Sequence, residues 1–410
     1  MTPNMLFYIL VGVLFIDFMV NKVLSHLNVK HFHDAIPEEL ADVYDKSDYK
    51  KSQEYKKSTA NFVAATELFY FVGTIGFLCG NGFKYVDEIA RSMSANSMVI
   101  ALIFFGIVMG ISALIQTVFS YYKTFTLEEK FGFNKTSIVT FFKDKLKNLL
   151  LTIIFGGSIL ALIVWCYEFS GDHFWIYAWI GVSAVTICIN MWYSKLIVPL
   201  FNKQELLEEG LLKNAIQAYA TTVDFELNAI YVIDGSKRST KGNAYFSGFG
   251  KQKQITLYDT LINDLETDEI IAVLAHEVGH YKHKHIVFHL VTSIFLTGIT
   301  LFVLSLCAGS PLFSAALGVA APSFHVGLIA FGILYAPISE ITKLGMNILS
   351  RKFEYQADNY AKKTFAATPL IAALKKLSRK SFSNLTPHSA YVFVHYSHPT
   401  LLQRVQNLKK

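Results

Sequence analysis

Apolar residues gather in seven runs long enough to cross a bilayer, at about 5–21, 62–83, 98–121, 149–167, 174–197, 286–307 and 319–341. The fourth is short and the seventh contains Pro337, so the pattern defines those two boundaries least. In the first run Lys22 follows the apolar stretch instead of preceding it, and no A-x-A site closes it, so it is expected to stay as a span and not to be cleaved as a signal peptide. Residues 201–285 form the one long polar stretch in the middle of the chain. There LLEEGLLKNAIQAYATTV has a helical period, and AIYVID, NAYFSGFG and QITLYD read as strands. ETDEIIAVLAHEVGHYKHKH then predicts an amphipathic helix with Thr267 at its N-cap, acids in its first turn and an apolar stripe of Ile270, Ile271, Val273 and Leu274. Beyond the seventh run, SRKFEYQADNYAKK predicts another helix. No internal repeat, low-complexity tract or Gly/Ser linker interrupts this order.

The expected fold is therefore mainly α, a polytopic membrane protein with seven spans and a small β-containing segment. Four stretches follow: 1–200 with five spans, 201–285 with the polar segment, 286–341 with two spans, and 342–410 as a polar C-terminal segment.

A 52% hydrophobic content, 14% aromatic residues and a mean hydropathy of +0.37 agree with a membrane protein and argue against a soluble one. Charge then predicts orientation. Loops on one side of the seven spans hold 34 of the 37 Lys and Arg, while the opposite loops hold only Lys84 and Arg91. The positive-inside rule places the N-terminus outside (lumenal or periplasmic) and the polar segment and C-terminus in the cytosol. The net charge of +6 follows from this sidedness and from anionic inner-leaflet lipid, with no nucleic-acid partner needed. Cys79, Cys166, Cys188 and Cys307 fall within the expected spans, lack metal-ligand spacing and are read as packing residues without disulfides.

HEVGH at His276–His280 carries the chemistry. Two histidines at i and i+4 share one helix face and can grip a single zinc ion. Glu277, about 100° further round the helix, is placed to reach water activated by the metal and serve as general base. A catalytic zinc takes three protein ligands. The third is not a histidine of the HExxHxxGxxH type, because His283 stands where that pattern needs Gly. Glu354 and Asp358, again at i and i+4, supply a candidate ligand and a candidate acceptor for the free ring N–H of a ligand histidine. An exposed helix with ordinary ion pairs to Arg351 and Lys352 would explain the same two acids, but their company with HEVGH favours ligation. Asn243, Tyr245 and Phe246 are candidates for a strand edge that binds substrate. A turn-forming Asn and two packing aromatics account for them equally. Asp17, Glu67, His289, His325 and Glu340 lie in or beside apolar runs, where a charge normally faces a bundle interior or water; for His325 and Glu340 snorkelling is the alternative.

HEVGH after five spans, SRKFEYQAD after two more, NAYFSGFG upstream, EEKFGFNKTS after the third span and SHPTLLQR near the C-terminus together resemble the type I CAAX prenyl endopeptidases, integral-membrane gluzincins, over nearly the whole chain. The resemblance implies seven long tilted helices around a water-filled chamber, capped on the cytosolic side by the zinc domain. It implies cleavage of the C-terminal peptide bonds of a peptide or protein substrate, prenylated in CAAX proteins. It carries His276, His280 and Glu354 as ligands of one zinc per chain and Glu277 as base. It further implies Asn243 as a substrate-backbone contact, His398 as a group near the scissile carbonyl and its oxyanion, and Arg404 as a partner of Asp358. SHPT replaces a common SHPP and leaves His398 in place; a capping or packing histidine before Pro399 is the alternative for that residue. With no ER-retrieval signal at the LKK end, an ER membrane and a bacterial inner membrane both stay open, and in a bacterium prenylated substrates would be doubtful. A quality-control protease for misfolded or stalled membrane proteins would use the same residues. A non-catalytic transporter or scaffold would explain the spans but leave the zinc set without a purpose.

Overall fold

A computed structural model describes residues 1–247 and 254–410, so Gly248, Phe249 and Gly250 of NAYFSGFG lie outside the described residues. The chain is mainly helical. The membrane half runs through α1 (Pro3–Lys30), α2 (Lys46–Cys79), α3 (Gly82–Met93), α4 (Ser97–Tyr122), α5 (Ile138–Leu151), α6 (Gly157–Ser170), α7 (Phe174–Trp192) and the short α8 (Val198–Phe201). Wider π turns extend α4 at Lys123–Glu128, join α5 to α6 at Thr152–Gly156 and follow α7 at Tyr193–Ile197.

A four-stranded sheet comes next, made of β1 (Gln204–Leu206), β2 (Ala229–Ile233), β3 (Ala244–Ser247) and β4 (Gln254–Tyr258) in the order β1-β2-β4-β3. Only the β2–β4 pair is parallel. Helix α9 (Leu211–Thr222) lies between β1 and β2, and α10 (Asp259–Asp264) follows β4. The chain continues through α11 (Thr267–Lys282), α12 (His285–Ser305), α13 (Pro311–Ala316), α14 (Phe324–Thr364), α15 (Ala367–Lys380), α16 (Ser389–His395) and α17 (Leu401–Lys409).

Six helical stretches among the described residues are long and apolar enough to cross a membrane. The fourth and fifth expected spans fall within one of them, the 64-residue stretch Ile138–Phe201, which turns at Gly171 (φ +52°) so that α6 and α7 pack side by side. Two boundaries differ from expectation. The seventh expected span begins at Phe324, after an irregular approach. It then continues without a break through Pro337 and the EYQAD stretch, so span and ligand helix are one 41-residue α14 about 60 Å long.

Helix α11 starts at Thr267, with Glu266 and not Thr267 as its N-cap. The Glu269 carboxylate accepts from the Glu266 N–H at 2.8 Å, a reciprocal cap that a Thr-centred reading misses. The apolar face of α11 (Ile270, Ile271, Leu274, Ala275, Val278) is buried against Ile255 and Leu257 of β4 and Leu370 and Ala373 of α15. Burial of each large side chain contributes about 1.5–3 kcal/mol and fixes the rotation of the helix, which turns its histidines toward α14.

Several polar residues inside the membrane half are paired. Lys22 meets Glu67 at 2.9 Å, Asn21 donates to Asp17 at 3.3 Å, and His325 is buried against Asp87 at 2.6 Å, which removes the snorkelling alternative for His325. Glu340 keeps an exposed pair with Lys343 at 3.3 Å. His289 borders a cavity of about 550 Å³ together with Thr292, Ser293 and Thr300 on α12. The two halves meet where the EEKFGFNKTS loop docks on residues 235–241. Arg238 grips Asp144 of α5 with two bonds, at 2.7 and 3.0 Å, and Asn134 bridges Ser239.

Candidate metal centre

Helices α11 and α14 bring three donors into one space: ligand atoms of His276, His280 and Glu354 all lie within 4.8 Å of one another. The helices approach closely because of Gly279. A Cβ added there would stand 3.0 Å from the Ala357 Cα, tighter than most packed Cβ contacts, so a side chain at this position of HEVGH would push the two helices apart by a few tenths of an ångström. The two Nε2 atoms sit 3.1 Å apart, and Glu354 offers Oε2 to His276 at 3.5 Å and Oε1 to His280 at 3.2 Å.

Each outer nitrogen has its own partner. His276 Nδ1 is 2.8 Å from Asp358 Oδ1, and Arg404 Nε of α17 donates to Asp358 Oδ2 at 2.9 Å. His280 Nδ1 is 3.0 Å from His285 Nδ1, and His285 Nε2 is 2.9 Å from Gln356 Oε1. With both outer nitrogens engaged, the two Nε2 atoms and the Glu354 carboxylate converge on one point, with Arg404 Nη1 at 3.4 Å from Glu354 Oε2. Glu354 Oε2 is buried there without a hydrogen bond. Two imidazoles and a carboxylate with unshared electrons converging in this way fit a divalent metal of the zinc type.

Burial and the Arg404 charge push the His276 imidazole down, but hydrogen bonds to Asp358 and Glu354 outweigh them and carry it up to about 9 in the metal-free chain. Burial raises the Glu277 carboxyl against the pull of His276 and His280.

Of the residues singled out in the sequence, His276, His280, Glu354, Asp358 and Arg404 come together. His398 joins them from the exposed loop before α17, with Nε2 at 3.4 Å from Glu354 Oε1 and Nδ1 at 3.0 Å from Ser397 Oγ. Phe246 does not join them. Alternation along β3 turns it into the core, where its ring packs on Phe225 and Tyr281 at 5.4 and 5.2 Å, so the packing account of this residue holds. Tyr245 takes the other face, opposite Thr256. Asn243 stands just ahead of β3, an edge strand among the described residues. Its side-chain oxygen accepts from the Ala244 N–H at 2.9 Å and its carbonyl accepts from the Tyr258 N–H at 3.0 Å. Sequence reasoning missed Gly279, His285 and Gln356. The only available signals were the glycine inside HEVGH and the run of histidines in YKHKH directly after it.

With this geometry in place, comparison with known proteins decides the family. The family model described as "Peptidase family M48" matches residues 206–410, and that described as "CAAX prenyl protease N-terminal, five membrane helices" matches residues 25–203. The chain belongs to peptidase family M48. It is 34% identical to "CAAX prenyl protease 1 homolog" of Dictyostelium discoideum over 97% of this chain and 93% of that protein. It is 33% identical to the Homo sapiens protein of the same name over 91% and 88%, respectively. The crystal structure of S. mikatae Ste24p superposes with a TM-score of 0.94 at 31% identity, covering 99% of each chain. M48 membership, with the five-membrane-helix match and the six apolar stretches, makes this a multi-pass membrane metalloendopeptidase that acts on peptide or protein substrates, and it sets aside the transporter or scaffold reading. An M48 enzyme implies a metal, and the His276, His280 and Glu354 group meets that need.

Proposed function

We propose that this chain is a zinc endopeptidase that trims the C-termini of CAAX-type proteins at the cytosolic face of a membrane. The observation that carries the proposal is the convergence of His276, His280 and Glu354 within 4.8 Å, with Glu277 on the next position of the same helix. In this reading zinc, when bound, supplies the Lewis acidity that polarises a peptide carbonyl and acidifies water. Glu277 takes the proton of the attacking water and passes it to the leaving amine. Asp358, held by Arg404, keeps the His276 proton on Nδ1 so that Nε2 stays a ligand. His398 donates to the oxyanion as the carbonyl becomes tetrahedral, a role supported by its place at 3.4 Å from Glu354. Asn243, ahead of an edge strand, offers a site where substrate backbone adds to the sheet, with Tyr245 beside it.

The membrane half completes the proposal. The turn at Gly171 supports counting the six apolar stretches as seven spans, and the similarity to Ste24p supports a chamber between them. Residues 1–200 and 286–341 form this half, while 201–285 and 342–410 form the protease. Lys and Arg asymmetry supports an outside N-terminus and a cytosolic C-terminus, in an ER or bacterial inner membrane. Similarity to proteins named CAAX prenyl protease 1 homolog supports a prenylated substrate.

The test is cleavage of a farnesylated CAAX reporter peptide by detergent-purified protein, comparing wild type, Glu277→Ala and a chelated sample. Cleavage abolished in both controls is expected. Stoichiometric zinc without cleavage would overturn CAAX processing and favour quality control of membrane proteins.

A further inference from the structure

We propose that His285 and Gln356 are positioning residues for His280, holding its proton on Nδ1 through an uncharged relay so that Nε2 is fixed as a metal ligand. The inference rests on the reading of His276, His280 and Glu354 as zinc ligands.

A neutral imidazole can coordinate through Nε2 only while Nδ1 carries the hydrogen, so something must accept from Nδ1. For His276 that acceptor is Asp358. For His280 the atom in place is His285 Nδ1 at 3.0 Å, which must then be bare. A neutral His285 with Nδ1 bare carries its hydrogen on Nε2, and Nε2 faces the carbonyl oxygen of Gln356 at 2.9 Å, which can only accept. Each group is thereby left one state. Running the bonds the other way would put the His280 hydrogen on Nε2, against His276 Nε2, and would require Gln356 to present its amide nitrogen.

Packing holds the relay still. His285 is buried at the start of α12, and its ring stacks on Phe353 with centroids 4.1 Å apart and an interplanar angle of 10°. Phe353 and Gln356 flank Glu354 on α14, so one helix supplies the third ligand and also orients the second. The chemistry of the relay differs from that of its counterpart. A carboxylate partner strengthens a histidine as an electron donor to the metal, whereas the His285–Gln356 pair fixes orientation without adding charge.

The full-length protein in detergent is stripped of metal, and its zinc dissociation constant is measured by competition with a chromophoric chelator. Peptide cleavage at saturating zinc and thermal unfolding are followed alongside. His285→Phe keeps a stacking ring but removes the acceptor and is expected to weaken zinc about 10–100-fold. His285→Asn loses the stack but places Oδ1 near the former Nδ1 and is expected to stay within a few-fold of wild type. Gln356→Leu, a milder change if His285→Phe unfolds, is expected to fall between them. Zinc affinity unchanged in both His285→Phe and Gln356→Leu, or lost as far in His285→Asn as in His285→Phe, would overturn the relay alone. Failure of wild type to bind one zinc would overturn the underlying zinc reading as well.

Discussion

The molecule contains two buried clusters built from the same three residue types. At one, Asp87 of α3 joins Arg91 at 2.7 Å and His325 of α14 at 2.6 Å. At the other, Asp358 of α14 joins Arg404 at 2.9 Å and His276 of α11 at 2.8 Å. What separates them is the ring nitrogen that is tied. His325 bonds through Nε2 and lays its ring against Phe104, so the cluster fastens a short helix to a long one. His276 bonds through Nδ1, which leaves Nε2 facing His280 and Glu354. An Asp–Arg–His group is thus a joint or, in the proposed reading, a metal holder according to which nitrogen the carboxylate takes and what the other one meets. The origin of the arginine differs too. Arg91 is one turn from Asp87, whereas Arg404 comes from the last helix and ties the C-terminal segment to the site.

The largest effect is expected beside the second cluster, at Glu277. If Glu277 is the proposed general base, Glu277→Gln should lower kcat/KM by about 10²–10⁴-fold while zinc content and thermal midpoint stay at wild-type values. Gly279→Ala comes next. The added Cβ meets the α14 backbone, so about 1–3 kcal/mol of strain should appear as weaker zinc binding together with a lower midpoint. The clusters are then compared directly with Asp358→Asn and Asp87→Asn. The first should weaken zinc about 10–100-fold, and the second should leave zinc affinity unchanged and lower only the midpoint. Equal effects on zinc would erase the distinction drawn above.

Acidity sharpens the comparison. In the metal-free chain hydrogen bonds to Asp358 and Glu354 carry the His276 imidazole up to about 9, so zinc, in the proposed reading, would have to displace a proton from it. Zinc affinity should therefore rise with pH, by about tenfold per unit while one proton is released, and level off above about 9. Calorimetry in buffers of different ionisation heat should count that proton, and Asp358→Asn should reduce the slope. The smallest effect is expected at the contact between the halves. A double-mutant cycle on Arg238 and Asp144, read by thermal unfolding, should give a coupling of about 1 kcal/mol.

Helical periodicity made much of the site legible. His276 with His280 and Glu354 with Asp358 are pairs at i and i+4, and any helix places such pairs on one face. Three strands were visible as short β-branched and aromatic runs, but β1, with three residues and no apolar pattern, was not. Strand alternation also could not say which of Tyr245 and Phe246 faces the core, because a pleat has two faces and both residues are aromatic. Gly279, the His285–Gln356 contact and the meeting of Asp87 with His325 depend on which helices touch, at separations of 71 residues or more for the two side-chain pairs. Continuity of α14 was hidden by Pro337, whose missing N–H suggests an end that packing on neighbouring helices does not impose.

That continuous helix joins the candidate metal centre to the spans without a hinge loop between them. One end of α14 lies among the spans and the other carries Glu354, so any bending at Pro337, where the helix lacks one backbone N–H, would act on Glu354 through a lever. A rotation of about 5° there would swing Glu354, some 25 Å further along, by about 2 Å, the length of a coordination bond. Membrane thickness and lateral pressure therefore belong with pH and metal supply among the variables that set how tightly this enzyme closes its ligand shell.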